Sequence, residues 1–296
     1  MSSLKIHNPY QLTGFSWLRG NLHAHSTLSD GRLPPQLVVD QYAAAGHDFL
    51  ALTDHDIHSD SSTLDPAGLI LLPGNEISAN AQHVLHIGSD RRIEPDSDRQ
   101  SVLDAINATS GFSILAHPTW QDEYDYYPRE LMLKLQGYLG IEIFNEVINQ
   151  LNGSALAVNQ WDWLLSQGRQ VYGFANDDSH FPENIARGWN VVQAETNDAA
   201  GITAAFRAGR FYASTGVEIS SISASGRYIS VHTANAHRIA LVTNLSRRVA
   251  AVDSNRALFE IPEGFKGNYV RIECWGHGEQ QAWSQPLFVT TDGTPA

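Results

Sequence analysis

From the start to about Gly216, short apolar runs alternate with helical patterns. "DFLALTDH", "GLILLPGNE", "FSILAHP", "GIEIFN" and "QVYGFANDD" are dense in Val, Ile, Leu and Phe and end in polar or glycine residues, as buried strands do. Between them, "PPQLVVDQYAAAG", "RQSVLDAINATSG", "PRELMLKLQG" and "SALAVNQWDWLLSQG" read as helices, each closed by a glycine suited to a helix C-terminus. Strand alternating with helix predicts parallel β-structure with outer helices, either a barrel or a doubly wound sheet. From Val217 the texture changes to short alternating segments with turn residues between them: "EISSISASG", "RYISVHTA", "RIALVTN", "RVAAVDS", "ALFEIPEG", "NYVRIECWG" and "PLFVTT". These predict a small antiparallel β-sandwich. The expected division is therefore residues 1–216 and residues 217–296.

The 296 residues leave room for an ample core in either unit. The formal charge of -13 comes from 32 acids against 19 bases. Broad nucleic-acid and membrane faces need clustered Lys and Arg, so this balance argues against both and leaves a small anion in a local pocket as the compatible partner. Cys274 is the one cysteine, which excludes an intrachain disulfide and a thiolate metal site. The start lacks an apolar run of signal length, and no stretch approaches the ~18 apolar residues of a membrane span, so a cytoplasmic location is expected.

The histidines follow the same boundary, ten of the 13 preceding Gly216. In "GNLHAHSTLSDG" a strand period of two points His23 and His25 to one face, as a metal site requires, with Asp30 following. Further candidates close the predicted strands: His55 in "LTDHD", Glu76 in "PGNEIS", His83 or His86 in "QHVLHIG", His117 in "LAHP", and Asp178 with His180 in "NDDSH". Any one of these alone reads better as a satisfied turn or core residue. Their recurrence at successive strand ends does not, because packing prefers Val or Leu there. In a parallel α/β barrel those ends share one rim. Imidazole and carboxylate without sulfur suit Zn, Mn or Fe, and eight or nine donors suit two or three divalent ions rather than one. Strand period allows only one of His83 and His86 to face the rim. It also puts Asp177 on the face opposite Asp178, so Asp177→Asn is expected to be tolerated. Trp161 and Trp163 read as helix packing, and "GRFYASTG" as a helix end with a linker.

His23-x-His25, "SDG" with Asp30, "TDH" with His55, "GNE" with Glu76, "AHP" with His117 and Asp178-x-His180 resemble the successive motifs of the PHP (polymerase and histidinol phosphatase) family. The resemblance covers roughly residues 18–180, and the tail with "AWSQPLFV" resembles the C-terminal module of a stand-alone metallohydrolase branch. It implies a distorted (β/α)7 TIM-like barrel, a di- or trinuclear metal cluster and phosphoester hydrolysis. It selects His83 over His86, although Gln82 and Leu85 depart from the family pattern. "GIEIFNE" lacks the family's Cys or His at that strand, so a third ion depends on Glu142 or Asn145 taking that place.

The expected function is hydrolysis of a small anionic phosphoester, mono- or diester, by a metal-activated hydroxide. The metal set is His23, His25, Asp30, His55, Glu76, His83, His117, Asp178 and His180, with His55 or His180 as proton donor and Arg187 as the phosphate contact. The same ligands would serve a carbamate or carboxyl ester. A third reading makes the first unit a non-catalytic, metal-stabilised scaffold and the tail a binding module.

Overall fold

The computed structural model describes residues 4–11, 13–58 and 61–291. Residues 1–3 of the start and residues 292–296 of the expected C-terminal unit lie outside the described residues. The fold is mixed α/β, and each predicted run forms an element. "DFLALTDH" gives the strand Phe49–Ala51, while "GLILLPGNE" divides at Pro73 into Ile70–Leu72 and Gly74–Ile77. Proline has no N–H for a ladder, so the chain leaves one sheet there and enters another. The helices Pro35–Ala44, Arg99–Asn107, Arg129–Lys134, Val158–Ser166 and Ala199–Arg207 cover the outside. Among the described residues, no helix is long and apolar enough to cross a membrane.

The strands before residue 216 fall into two sheets. Ser16–Asn21, Phe49–Ala51 and Ile70–Leu72 are parallel neighbours in an 11-stranded sheet. Gly74–Ile77, Val84–Ile87, Phe112–Leu115, Gly140–Asn145 and Tyr172–Asn176 form a five-stranded sheet in that order. Leu18, Phe49 and Leu72 from the first meet Leu85, Phe112 and Phe174 from the second in a shared core. Among the described residues the ladders do not close into a barrel. Two single-residue bridges, Ala24 with Ser179 and His55 with Glu76, join the sheets instead.

The expectation of parallel strands throughout needs correction in both sheets: in the large one Trp189–Ala194 pairs antiparallel with Ser16–Asn21 and with Phe211–Ser214. Val84–Ile87 pairs antiparallel with both Gly74–Ile77 and Phe112–Leu115. The connection 78–83 is too short for the crossover that a parallel pair needs, so the chain turns back as a hairpin.

Nor do the strands after residue 216 stand apart from the first sheet. Gln281–Ser284, which the pattern did not single out, pairs with Phe211–Ser214 on one side and Tyr269–Trp275 on the other. Ile219–Ser225, Tyr228–Thr233 and Arg256–Glu260 make a separate three-stranded sheet, whose Ile222, Val231 and Phe259 share a core with Ile239 and Ile272 of the large one.

A buried ion pair ties these strands to the helix Val158–Ser166. Arg271 donates to Asp162 through Nε at 2.9 Å and Nη2 at 2.6 Å, and the Tyr269 hydroxyl donates to the same carboxylate at 2.7 Å. Both charged side chains are buried. Removing one partner strands the other charge, so Arg271→Met is expected to destabilise the fold by roughly 3–5 kcal/mol. The double variant with Asp162→Leu should recover much of that loss in denaturant unfolding, and two equal additive losses would contradict the account.

Candidate metal centre

The site forms where the strand ends of the two sheets meet, and Glu76 is its centre. The carboxylate of Glu76 lies 3.3 Å from His23 Nε2, 3.4 Å from His25 Nε2, 2.8 Å from His55 Nδ1, 3.0 Å from His83 Nδ1 and 3.3 Å from His117 Nε2. Asp178 Oδ1 lies 3.1 Å from His23 Nε2, 3.0 Å from His25 Nε2 and 3.6 Å from His180 Nδ1. Asp30 Oδ2 closes the mouth, 3.5 Å from His55 Nε2 and 3.3 Å from His180 Nε2. Nine residues singled out in the sequence therefore meet in one place.

Hydrogen bonding alone does not account for this arrangement. His23 Nε2, His25 Nε2, His55 Nδ1, Glu76 Oε2 and Asp178 Oδ1 are buried without a hydrogen-bond partner, which costs roughly 1–3 kcal/mol for each group. Two donors on one ion, each about 2.0–2.2 Å from it, sit about 2.8–3.6 Å apart, which is the spacing seen here. Among the described residues, three groups have donor atoms mutually close enough to hold an ion: His23, His25 and Asp178; His55, Glu76 and His83; His25, Asp30, His55 and His180.

The reversed strand settles the position of the ambiguous histidine. In an antiparallel Val84–Ile87 the N-terminal end faces the rim, so His83 reaches Glu76. His86 sits further along, opposite Asn75, near Thr109 Oγ1 at 3.5 Å. The Arg99 guanidinium fixes the turn before His83 by donating to the carbonyls of Ser78, Ala79 and Gln82. The Tyr127 hydroxyl donates to the His83 carbonyl at 2.9 Å.

Glu142 does not substitute for a ligand. Its Oε1 accepts from His23 Nδ1 at 2.8 Å and Asn176 Nδ2 at 2.9 Å, and its Oε2 accepts from the His117 N–H and Asn145 Nδ2, both at 2.7 Å. It orients His23 and anchors His117 at a φ of 31°, a left-handed conformation held by its surroundings. Asp54, beside His55 in the chain, accepts from the N–H and hydroxyl groups of Ser26 and Ser29 and so shapes the loop to Asp30. Gly31 belongs to that loop because a Cβ would meet the His25 carbonyl at 2.6 Å.

Two other expectations change. Asp177 does lie opposite Asp178, but that face is buried too. Its carboxylate accepts from the Tyr42 hydroxyl at 2.8 Å and from the backbone N–H of Ala186, Arg187 and Gly188 at 2.8, 2.8 and 2.7 Å. Asp177→Asn should therefore not be tolerated. Arg187 is not among the residues lining the cavity over the cluster; its exposed guanidinium donates to the Glu183 carbonyl at 2.9 Å. That cavity, of 270 Å³, is lined by Asp30, His55, Glu76, His83, His117, Asp178 and His180 together with Trp120, Val147, Ile148, Leu151 and Phe181.

The charges are strongly coupled. Burial lowers the His55 imidazole, but Asp30 and Glu76 overcome this and raise it to about 10. Burial raises the Glu76 carboxyl, and His23, His117 and His55 reverse this and hold it well below the usual range. Asp178 is likewise pulled down against burial by His23 and His25. Burial holds His25 low, near the neutral state that a ligand needs.

Three outcomes follow. In metal-free protein, the His55 contribution to stability is complete below an unfolded value near ~6.5 and is lost as pH rises through about 10. The Glu76 and Asp178 contributions are present above ~4 and are lost as pH falls. Thermal unfolding of chelator-treated protein should thus show the His55, Glu76 and Asp178 contributions together near pH ~4.5–6.5, offset in part by His25, whose lowered value costs stability as pH falls below ~6.5, and metal should move the optimum upward because uptake displaces protons. Metal titration of Glu142→Gln should show affinity about 10–100-fold weaker, since an amide cannot accept all four bonds. Asp177→Asn should lower stability by roughly 1–3 kcal/mol, read by denaturant unfolding. Wild-type values in either variant would remove the support assigned to these carboxylates.

Comparison with known proteins agrees with this geometry. A family model described as PHP-associated matches residues 165–211, the segment that carries Asp178 and His180. A 3',5'-nucleoside bisphosphate phosphatase from Chromobacterium violaceum is 40% identical over 72 residues, 23% of this chain, and the chain spans only 25% of that protein. A two-domain protein from Bacteroides vulgatus, containing a predicted PHP-like metal-dependent phosphoesterase, shares the fold with a TM-score of 0.56 and 19% identity, over 97% of this chain and 98% of that one. An amidohydrolase from Chromobacterium violaceum gives a TM-score of 0.42 at 19% identity, over 55% and 88% of the two chains. The motifs gathered at this site stand in the order of the PHP family's motifs, and the matched PHP-associated segment carries Asp178 and His180, so the chain is similar to that family in the segments matched.

Proposed function

We propose that the chain is a metal-dependent phosphoesterase that hydrolyses a small phosphate mono- or diester at the Glu76 cluster. The observation that carries this reading is the meeting of five imidazoles on one buried carboxylate, with orphaned donor atoms and a cavity above them. The matched segment of a phosphatase supports the reaction class and leaves the substrate open. Divalent ions of the Zn, Mn or Fe class suit these donors. One would be held by His23, His25 and Asp178, and a second by His55, Glu76 and His83, with His117 beside it. When bound, such ions supply Lewis acidity toward a phosphoryl oxygen and lower the pKa of water.

The remaining roles belong to the chain's own side chains. Glu142 keeps the proton of His23 on Nδ1 and leaves Nε2 free to bind. The Nε2 of His180 lies 3.3 Å from Asp30, which stabilises its protonated form, and both residues line the cavity. If its ring stays free of metal, His180 would donate that proton to the leaving-group oxygen as the ester P–O bond breaks, while the water that adds to phosphorus would release a proton to solvent, from which the imidazole is reprotonated. A third ion in the His25, Asp30, His55 and His180 group would instead make His180 a ligand.

We further read the seven strands Ser16–Asn21, Phe49–Ala51, Gly74–Ile77, Val84–Ile87, Phe112–Leu115, Gly140–Asn145 and Tyr172–Asn176 as a distorted (β/α)7 barrel, with residues 217–296 as a sandwich module. A cytoplasmic location suits the lone buried cysteine.

Metal analysis of protein purified without chelator should find two ions per chain. The protein should turn over p-nitrophenyl phosphate or its bis ester faster than p-nitrophenyl acetate, and Asp178→Asn should lower that rate by orders of magnitude while the protein stays folded. Absence of bound metal, preference for the acetate, or full activity in Asp178→Asn would each refute the reading.

A further inference from the structure

The lining of the cavity is unusual for a site that handles anions. None of the residues lining the cavity is Lys or Arg, and beside the donors its lining is completed by Trp120, Val147, Ile148, Leu151 and Phe181. Phe181 is 37% exposed and Leu151 48% exposed, so two large apolar side chains face solvent at the rim. Trp120 is fixed by ring contacts, its centroid 5.1 Å from His117 and 5.0 Å from Tyr126. Rigid apolar surface beside a few polar groups is the usual make-up of a small-molecule site.

Trp120 and Leu151 also line a second cavity, of 640 Å³, whose lining includes Asp122, Glu123 and Asp125 and no cationic side chain. The exposed Arg32 lies 5.5 Å over the Phe181 ring and lines neither cavity. The inner cavity, at 270 Å³, is small. A dry cavity of about 150 Å³ accommodates benzene, so a phosphoryl group with one ring fills the inner space, and anything larger extends past Trp120 into the acidic groove.

We infer that the site takes a phosphoester whose leaving group is a single uncharged, flat apolar group lying against the apolar lining that includes Trp120 and Phe181, and that Asp122, Glu123 and Asp125 disfavour a second phosphoryl group. This rests on the phosphoesterase reading and deepens it. The attraction comes from apolar surface at Trp120, Leu151 and Phe181 that only such a group covers. The rejection comes from like charge, whose cost rises as bound substrate excludes water between the groups.

Binding and turnover test it together. Calorimetric titration of metal-loaded protein with phenylphosphonic and methylphosphonic acid, neither hydrolysable, should show the phenyl compound binding on the order of tenfold more tightly. Trp120→Ala should abolish the difference. Leu151→Ala, at an exposed position, should reduce it and guards against misfolding of the first variant. Phenyl phosphate should be hydrolysed with a higher kcat/KM than glycerol phosphate or adenosine 3',5'-bisphosphate. The triple change Asp122→Asn, Glu123→Gln and Asp125→Asn should narrow the gap between phenyl phosphate and the bisphosphate. Equal affinity for the two phosphonates, or preference for the bisphosphate, would overturn the inference and leave phosphoester hydrolysis standing. Failure to bind either phosphonate or to cleave any phosphoester would overturn both.

Discussion

A carboxylate buried among five imidazoles is the constraint on which the rest of this structure depends. Taking such groups out of water costs several kcal/mol for each charge, and partial pairing among themselves does not recover it. Glu76 can accept from several of these rings, yet donor atoms on His23, His25 and His55 and one of its own oxygens stay unpartnered. The arrangement has no purpose as packing, since Val or Leu would fill the same space at no electrostatic cost. It makes physical sense as a set of ligands held apart at the spacing of a shared ion.

Holding them there falls to a further layer of carboxylates and backbone. Glu142 accepts from both His23 and the His117 N–H, so one side chain aims two candidate ligands that lie far apart in sequence. Asp54 and Asp177 act on loops, one gathering Ser26 and Ser29 and the other the N–H groups of residues 186–188. Asp178, like His117, has a positive φ, at 52°. Backbone strain at two donors is sustained only where the surroundings over-determine the conformation, and those bonds are what over-determines it.

The periodic signals were legible because buried strands and amphipathic helices impose them, and the donors were legible because they interrupt apolar runs at strand ends. Direction was harder to read. Nothing in the apolar pattern of "HVLHIG" tells a parallel strand from an antiparallel one, although the shortness of the connection 78–83 does. Asp177 shows a second limit. Alternation places it correctly opposite Asp178, but strands of this kind are covered on both faces, so the far side of Asp178 is another buried environment rather than solvent. Arg187 was singled out by proximity in sequence. Its backbone N–H serves Asp177 while its side chain points to Glu183, a distinction that only coordinates make.

The chemistry changes at residue 216 while the packing continues. His232, His237 and His277 belong to none of the donor groups, yet Tyr269 and Trp283 share a core with Ile141 and Trp161. Gln285 shows why this continuity bears on the site. Its amide donates to the Gly173 carbonyl at 2.8 Å, and its Oε1 accepts from the Gly173 N–H at 2.9 Å. Gly173 lies on Tyr172–Asn176, the strand that delivers Asp177, Asp178 and His180. A side chain from the tail thus supplies the pairing that the backbone of this strand would otherwise lack at that residue. Cutting the chain at 216 would leave a buried N–H and carbonyl unpartnered directly behind the donors, so the C-terminal strands belong to the machinery that positions the site even though they contribute no ligand to it.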